Sequence, residues 1–290
     1  MLYHYTGQAG IIGIVESLSV WATHAMYLND SSEFFHGLSF AKDEASSIFM
    51  DNDYLGAFGW AIRHGLEAVS ADDLYVASFS EKPDLLSQWR GYCPAGAGLC
   101  VGFDFDALKR FCERQGYRLE KCIYEDQAQI QQIRTIVERC LDRFPKPSLS
   151  CEEYEALSSK EQFNFEIDYR FRASEGPDKP QADAAVAWLC TELAELAPLF
   201  KHGGFHEEEE WRIVAKSPKE QVKFRANSSY LAPYVELQIL AGPASTALRA
   251  VIIGPNPNQS RCETSVRMLL AANSHNQVEV HRSLLPYNDW

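Results

Sequence analysis

The sequence predicts an α+β fold, because segments with strand character lie near both ends of the chain and helical patterns occupy the middle. β-prone segments occur up to about residue 105 and return from about residue 209, whereas residues 106–200 are mostly helical and more polar. Sheet halves contributed by both chain ends, with helices between them, are typical of a single α+β domain. We therefore predict one domain over residues 1–290, with a helical insertion or cap over residues 106–200.

Strands and helices alternate through the first hundred residues. β-branched and aromatic residues bounded by turn residues predict the strands, and apolar residues at helical spacing predict the helices. The predicted strands are LYHYT (Leu2–Thr6), SVWAT (Ser19–Thr23), DLYVASFS (Asp73–Ser80) and GLCVGFDF (Gly98–Phe105). The predicted helices are GIIGIVESL (Gly10–Leu18), a helix capped from Asn29, Asp30, Ser31 or Ser32, one near Tyr54–Val69, and DLLSQWRGY (Asp84–Tyr92).

The same signals predict four strands and a helix from Glu210 onward. Their strand signals are EWRIV (Glu210–Val214), YVELQIL (Tyr234–Leu240), RAVIIGP (Arg249–Pro255) and QVEVHRSL (Gln277–Leu284), with a helix predicted over Ser260–Ala272. The Gly–Pro step of the third strand is interpreted as a structural turn.

Composition restricts the classes of function. A hydrophobic content of 46% supports a sizeable core, and a net charge of −13 argues against sequence-independent binding of nucleic acid, although a nucleic acid held locally stays open. Eight scattered cysteines without a CxxC pair indicate reduced thiols rather than a zinc site. The N-terminus has no signal-peptide pattern and the apolar runs are short, so we predict a cytoplasmic protein that does not bind a membrane.

Polar residues at the ends of two predicted strands are candidates for a site. Alternation along LYHYT places His4 and Thr6 on one face and Tyr5 on the other, while Ser78 and Ser80 share a face of SFS. An imidazole and hydroxyls at strand ends can hold a ribose, although such groups also commonly satisfy backbone atoms.

Trp89, Arg90 and Tyr92 follow the SFS strand. An aromatic ring can stack on a planar ligand and an arginine can pair with a phosphate. The alternative is a core tryptophan beside a solvated arginine.

The stretch EEEEWRIV carries the strongest candidate for catalysis. A strand that begins near Glu208 would place Glu208, Glu210 and Arg212 on one face. Two carboxylates facing a cleft could bind a ribose and activate a nucleophile, whereas a charged lip of a loop is the structural alternative. The preceding HGGFH is interpreted as a flexible loop, and its histidines and the glutamates match no strong metal-binding pattern, so we predict no metal site.

The order of these blocks resembles that of a large, uncharacterised bacterial family. The blocks are LYHYT, NDSSEF (Asn29–Phe34), SFSEKPDLLSQWRGY (Ser78–Tyr92), GAGLCVGFD (Gly96–Asp104), FHEEEEWRIV (Phe205–Val214), VIIGP (Val251–Pro255) and SLLPY (Ser283–Tyr287).

More loosely, an N-terminal strand histidine, a strand ending in SxS and a late ExE resemble the ADP-ribosyltransferase superfamily. The resemblance implies split sheets around a cleft that binds NAD as substrate. It implies His4 as the NAD anchor, Ser78 and Ser80 as support, Glu210 as the catalytic carboxylate and Glu208 as the group that activates the acceptor. Two ExE registers overlap, and the ExEWR block selects Glu208 and Glu210.

The resemblance leaves the aromatic partner of nicotinamide open among Trp89, Tyr92, Tyr5 and Tyr27. It implies transfer of ADP-ribose to a protein or nucleic-acid acceptor, in a bacterial toxin or anti-phage effector with a regulatory or antitoxin partner. Alternatives are an NAD glycohydrolase, a metal-dependent nuclease or hydrolase, and a non-catalytic nucleotide-binding sensor.

Overall fold

The computed structural model describes residues 1–28, 31–47, 52–67, 69, 73–217, 219–227, 229–241 and 247–286, with backbone alone for 31–36 and 219. The pattern of contacts divides the chain into two compact units. The first comprises Met1–Asn29, Asp73–Cys122 and His202–Trp290, and the second comprises Asp30–Asp72 and Ile123–Lys201.

The first unit contains the strands. They are β1 (Leu2–Gly7), β2 (Val20–His24), β3 (Leu74–Ser80), β4 (Gly98–Phe103), β5 (Arg118–Lys121), β6 (Glu210–Lys216), β7 (Lys223–Ala226), β8 (Leu231–Leu237), β9 (Leu248–Ile253) and β10 (Glu279–Arg282). Its helices are α1 (Gln8–Ser17), α4 (Leu86–Tyr92), α5 (Phe105–Gln115) and α10 (Gln259–Ala272).

The strands form one mixed sheet with the order β10-β9-β4-β1-β3-β2-β8-β7, and β6 pairs with β3 and β5 outside this path. The β9–β10 pair is parallel and the other pairs are antiparallel. β1 pairs with β4 along its whole length, but its pairing with β3 is limited, within the described residues, to Tyr3 opposite Ser80. The ladder is therefore weakest between β1 and β3.

Apolar side chains of the central strands form the main core of the first unit. Val101, Phe103, Ile213 and Val251 are fully buried there. Burial of each such side chain stabilises the fold by about 1.5–3 kcal/mol. α1 contributes Ile14 and Val15 to this core, as its helical spacing predicts.

The second unit is helical. Its helices are α2 (Ser31–Ser47), α3 (Gly56–Leu66), α6 (Asp126–Arg143), α7 (Cys151–Glu155), α8 (Ser159–Ser174) and α9 (Lys179–Leu196). Capping boxes start α7 at Ser150 and α8 at Ser158, which satisfies backbone N–H groups at both helix ends. None of the helices in the described ranges is long and apolar enough to cross a membrane.

The α+β class predicted from the sequence is confirmed, and each predicted strand coincides with a strand of the structure. Sequence reasoning missed β5 and β7, because each has four residues and little burial, which leaves no apolar alternation to detect. The predicted caps Asn29 and Asp30 lie outside the described residues, as does Tyr287 of the SLLPY block.

The predicted insertion over residues 106–200 overlaps the second unit but differs from it in extent. α5 and β5 lie in the first unit, and the second unit also contains residues 30–72. β5 joins the sheet by pairing with β6, which explains its place in the first unit. The single-domain organisation stays a prediction.

Candidate functional site

A small cavity of about 60 Å³ lies in the first unit where β1, β3 and α4 meet the start of β6. Its lining consists of Tyr3, His4, Tyr5, Ser78, Phe79, Gln88, Tyr92, Glu208 and Glu210. Segments that are about two hundred residues apart in the sequence therefore converge on one space, where β1 and β3 separate.

Strand register aligns the residues that frame this cavity. Tyr3 of β1 lies opposite Ser80 of β3, and Ser80 lies opposite Glu210 of β6. Directly opposed residues in neighbouring strands project to the same face of a sheet. The three strands thus bring a tyrosine, a serine and a carboxylate side by side.

His4 is held by the backbone of β3. Its Nδ1 lies 2.9 Å from the carbonyl oxygen of Ser78, and its ring packs against Phe79 at 5.7 Å between centroids. A carbonyl oxygen only accepts hydrogen bonds, so Nδ1 carries the proton and Nε2 of the neutral ring is an acceptor. Ser78 therefore orients His4 through its carbonyl rather than through its hydroxyl.

Burial lowers the pKa of His4, since loss of solvent disfavours the imidazolium form. The bond to Ser78 opposes this shift, and the positive charge of Arg225 adds to it. The direction means that His4 stays neutral at pH 7 and gains its proton below the ordinary histidine value of about 6.5.

A pH dependence follows for any activity that uses the His4 acceptor. We expect the acidic limb of kcat/KM to have its midpoint below pH 6.5, because protonation of Nε2 removes the acceptor only there. His4→Gln should lose this limb, since an amide keeps a donor and an acceptor but does not titrate. A limb at or above pH 6.5, or one unchanged in His4→Gln, would show that another group is responsible.

Ser80 connects β3 to the glutamate run. Its buried hydroxyl donates to the carbonyl oxygen of Glu208 at 2.6 Å and accepts from the backbone N–H of Lys82 at 3.0 Å. A buried hydroxyl bonded on both sides is fixed in position. Ser80 thus supports the site by holding the backbone of Glu208, and the structure does not place it in the cavity lining.

The conformation of the run EEEE differs from the predicted strand. A 3-10 turn over Gly203–Glu208 precedes it, Glu209 adopts the left-handed conformation (φ 41°, ψ 53°), and β6 begins at Glu210. The strand begins two residues later than the expected start near Glu208, because Glu208 belongs to the 3-10 turn and the left-handed conformation of Glu209 is incompatible with a strand. The predicted flexible loop HGGFH is part of this 3-10 turn, with His202 as its N-cap.

This local geometry separates the four glutamates by environment. Glu208 and Glu210 are each 5% exposed and line the cavity, whereas Glu207 is exposed and Glu209 forms a salt bridge to Lys82 at 3.3 Å. The pairing of Glu208 with Glu210 therefore arises from the kink at Glu209 rather than from strand alternation.

Arg212 binds Glu210 with both ends of its guanidinium group. Arg212 Nε donates to Oε1 at 2.7 Å and Nη2 donates to Oε2 at 3.1 Å, and both side chains are 6% exposed. A bidentate pair fixes the orientation of the carboxylate. Each carboxylate oxygen can accept more than one hydrogen bond, so pairing with Arg212 does not by itself prevent contact with a ligand.

Two tyrosines and α4 complete the wall. Tyr92 Oη lies 3.5 Å from Glu208 Oε2, a long contact, and Gln88 lies one helical turn earlier on the same face. Tyr5 Oη donates to the carbonyl oxygen of Lys82 at 2.7 Å and accepts from the N–H of Leu85 at 3.0 Å. Tyr5 thereby ties β1 to the segment that leads into α4.

Trp89 and Arg90 are not among the residues that line this cavity. Trp89 is 4% exposed, meets the Tyr5 ring edge-on at 4.8 Å and donates from Nε1 to Asp84 at 2.8 Å. It lines a separate cavity of about 320 Å³ together with Arg90. The glycine of IIGP permits this packing, because a Cβ at Gly254 would lie 2.9 Å from the indole.

Thr6 also lies away from the cavity lining. A Cβ built on Gly10 would lie 1.9 Å from Thr6 Oγ1, which places the threonine side chain against α1. Tyr27, another candidate for stacking, contacts His24 and Tyr230.

The structure adds residues that sequence reasoning did not select. Tyr3, Phe79 and Gln88 line the cavity, and Arg212 pairs with Glu210. In the sequence, Tyr3 and Phe79 have the pattern of ordinary apolar strand positions. No sequence signal therefore indicates that they line a site. Gln88 was detectable in principle, as a polar residue one turn before Tyr92 in a predicted helix.

No group of three or more His, Cys, Asp or Glu side chains in the described part of the chain could hold a metal ion. Glu210, the first candidate ligand, has both oxygens bonded to Arg212. A cation near Glu210 would have to compete with a buried guanidinium group.

Comparison with known proteins agrees with the predicted likeness to an uncharacterised family. No curated protein and no solved structure matches the chain. A family model matches residues 88–213, which include α4 from Gln88 onward and the Glu208–Arg212 segment but neither β1 nor β3, so the match covers part of the cavity wall. Residues 88–213 carry a domain similar to the family described as DUF2971, a protein of unknown function.

Proposed function

We propose that the cavity binds the nicotinamide ribose of NAD and that the protein is an ADP-ribosyltransferase-like enzyme. The observation that supports this proposal is the convergence of His4, Glu208 and Glu210 on one cavity, from two distant segments of the chain. These are the residues to which the superfamily resemblance assigns the anchor and the two carboxylates.

The contacts of His4 and Glu210 suit each of them to a role in this reaction. The Nε2 atom of His4 accepts from a ribose hydroxyl, because Nδ1 is occupied by Ser78. Glu210, held rigid by Arg212, stabilises positive charge that develops on the ribose as the glycosidic bond weakens. Arg212 offsets part of the negative charge of the Glu210 carboxylate. Glu210 therefore acts at short range, on the atoms that it contacts.

The proposed reaction balances with NAD and one acceptor. The bond from ribose C1′ to the nicotinamide nitrogen breaks, and its electron pair leaves with neutral nicotinamide. A nucleophilic atom of the acceptor forms the new bond to C1′, and its proton passes to Glu208. The acceptor in the transferase is a protein or a nucleic acid, and water as acceptor would make the same site an NAD glycohydrolase.

The size of the cavity limits what it encloses. Sites for whole small molecules are about 300–1,000 Å³, whereas this cavity measures about 60 Å³. We propose that it encloses only the atoms at the reacting glycosidic bond, and that the remainder of NAD extends outward. The cavity beside Trp89 and Arg90, on another face of α4, offers an aromatic ring and a cation.

Nicotinamide release and label transfer from NAD test this proposal. We expect the purified protein, supplied with a nucleic-acid and lysate mixture, to release nicotinamide at a rate unaffected by a metal chelator. Glu208→Gln should reduce transfer of labelled ADP-ribose to the acceptor more than it reduces release of nicotinamide, because its part begins at acceptor attack.

The alternative functions give different results in the same assay. Chelator-sensitive cleavage of nucleic acid without release of nicotinamide would favour a metal-dependent nuclease or hydrolase. Binding of NAD without release of nicotinamide, with every acceptor tried, would favour a nucleotide sensor. Release without transfer to any macromolecule would favour an NAD glycohydrolase.

A further inference from the structure

The β7–β8 hairpin carries a surface whose composition differs from that of the rest of the chain. Residues 216–236 contain four basic and two acidic residues, in a protein with 27 basic and 40 acidic residues overall. The surface is defined here by Tyr27, Lys223, Phe224, Arg225 and Tyr230. It is a locally basic region on an acidic protein.

Aromatic rings are exposed on this β7–β8 surface. Phe224 is 63% exposed, Tyr230 41% and Tyr27 39%, and the two tyrosine rings lie 5.9 Å apart. Hydrophobic residues on an edge strand are a liability for aggregation unless a partner covers them. Lys223, which pairs with Glu236 at 2.8 Å, and Arg225 on the same strand reduce strand pairing, but that role does not require an exposed ring at Phe224 between them.

Arg225 connects this surface to the cavity. It donates to Thr23 Oγ1 at 2.9 Å, and its guanidinium lies 5.9 Å from the centre of the Trp21 ring. Thr23 lies opposite Val76 of β3, two residues before Ser78, whose carbonyl accepts from His4. Two residues of a strand span about 6.6 Å, so the surface begins close to the cavity wall.

The direction of the His4 pKa shift is consistent with a position of Arg225 near the cavity wall. Burial is the main cause of the lowered pKa of His4, and the positive charge of Arg225 adds a smaller contribution in the same direction.

We propose that the β7–β8 surface binds single-stranded nucleic acid and presents it to the cavity as the acceptor. Cations that contact phosphates, together with aromatic rings on which bases stack, are the features by which proteins hold single strands. The inference rests on the proposed function and selects nucleic acid among its possible acceptors. The charge of −13 restricts such binding to this local surface.

Fluorescence anisotropy with labelled single-stranded RNA and DNA of about 15 nucleotides tests the proposal without NAD. We expect binding that weakens as salt rises from about 50 to about 200 mM. Phe224→Ala with Tyr230→Ala should weaken binding by about 10-fold or more through loss of stacking. Arg225→Gln should weaken binding and flatten its salt dependence.

Phe163→Ala is the matched control. Phe163 lies on α8, is 60% exposed and should not affect binding. Three results would overturn the inference. The first is that the wild type does not bind the oligonucleotides, and the second is that Phe163→Ala loses as much affinity as the surface variants. The third is that a polyglutamate peptide competes for the protein as well as an unlabelled oligonucleotide does.

The two proposals fail in different ways. If the protein releases nicotinamide but does not bind oligonucleotides, only the proposed role of the β7–β8 surface is overturned. Oligonucleotide binding by a protein that never releases nicotinamide would overturn the proposed chemistry and leave a nucleic-acid-binding surface.

Discussion

Glu210→Gln should lower the rate of nicotinamide release from NAD by about 10²–10³-fold. Glu210 is the buried carboxylate at the start of β6, oriented by two hydrogen bonds from Arg212 and exposed to the small cavity. The amide has almost the same shape but no negative charge, so it loses the electrostatic stabilisation of an oxocarbenium-like state. The comparison requires kcat and KM for NAD, with the loss expected mainly in kcat.

Glu209→Gln is the matched control for this substitution. Glu209 is the neighbouring residue and forms a partly exposed salt bridge to Lys82. Its substitution by Gln removes the same charge as Glu210→Gln does. We expect activity within about 2-fold of the wild type, since the Glu209 side chain is not part of the cavity lining and a partly exposed salt bridge contributes little. Equal losses in both variants would remove Glu210 from the mechanism and attribute the effect to the net charge of the run.

Arg212→Met should lower the free energy of unfolding by about 3–5 kcal/mol. The Arg212–Glu210 pair is buried on both sides, and removal of the guanidinium leaves a carboxylate in a site with little solvent. Urea unfolding of the purified protein, followed by a probe in the first unit, measures this loss.

A double-mutant cycle shows whether the pair itself accounts for the loss. Arg212→Met combined with Glu210→Gln should cost less than the sum of the single variants by about 1–3 kcal/mol, because the double variant does not leave Glu210 as a buried charge without Arg212. Arg249→Met on β9 is the control: its pair with Asp104 at 3.4 Å is partly exposed and should contribute less than about 1 kcal/mol. Additive costs would show that Arg212 acts through packing or other partners.

The double variant also separates activity from stability. Inactivity of Glu210→Gln has two explanations, lost chemistry and a destabilised site around Arg212. If Arg212→Met with Glu210→Gln unfolds like the wild type and remains inactive, the loss belongs to the chemistry. Recovery of activity in this variant would show that the carboxylate served only to neutralise Arg212.

Patterns within single segments were enough to predict the main strands and helices. β-branched and aromatic residues define β1, β3 and β9, because a pleated, buried surface selects those residue types locally. The pairing of β5 with β6 was not predictable, since neither the length nor the polarity of Arg118–Lys121 distinguishes it from a loop.

The sequence indicated the candidate residues but not their contacts. LYHYT, SFS and ExEWR pointed to His4, Ser80 and Glu210, and the structure brings these segments together through pairing of β1 and β6 with β3. That pairing depends on long-range backbone hydrogen bonds, which leave no mark in any one segment.

By itself, the sequence determined the α+β class, the acidic charge and the segments that carry the candidate groups, because these depend on composition and short-range periodicity. The tertiary structure alone decided that Glu208 and Glu210 face one cavity, that Arg212 holds Glu210 and that Trp89 packs against Tyr5 elsewhere. The physical reason is that a left-handed residue, a strand register and a buried ion pair are each selected by the energy of the whole fold, not by the local preference of the residues involved.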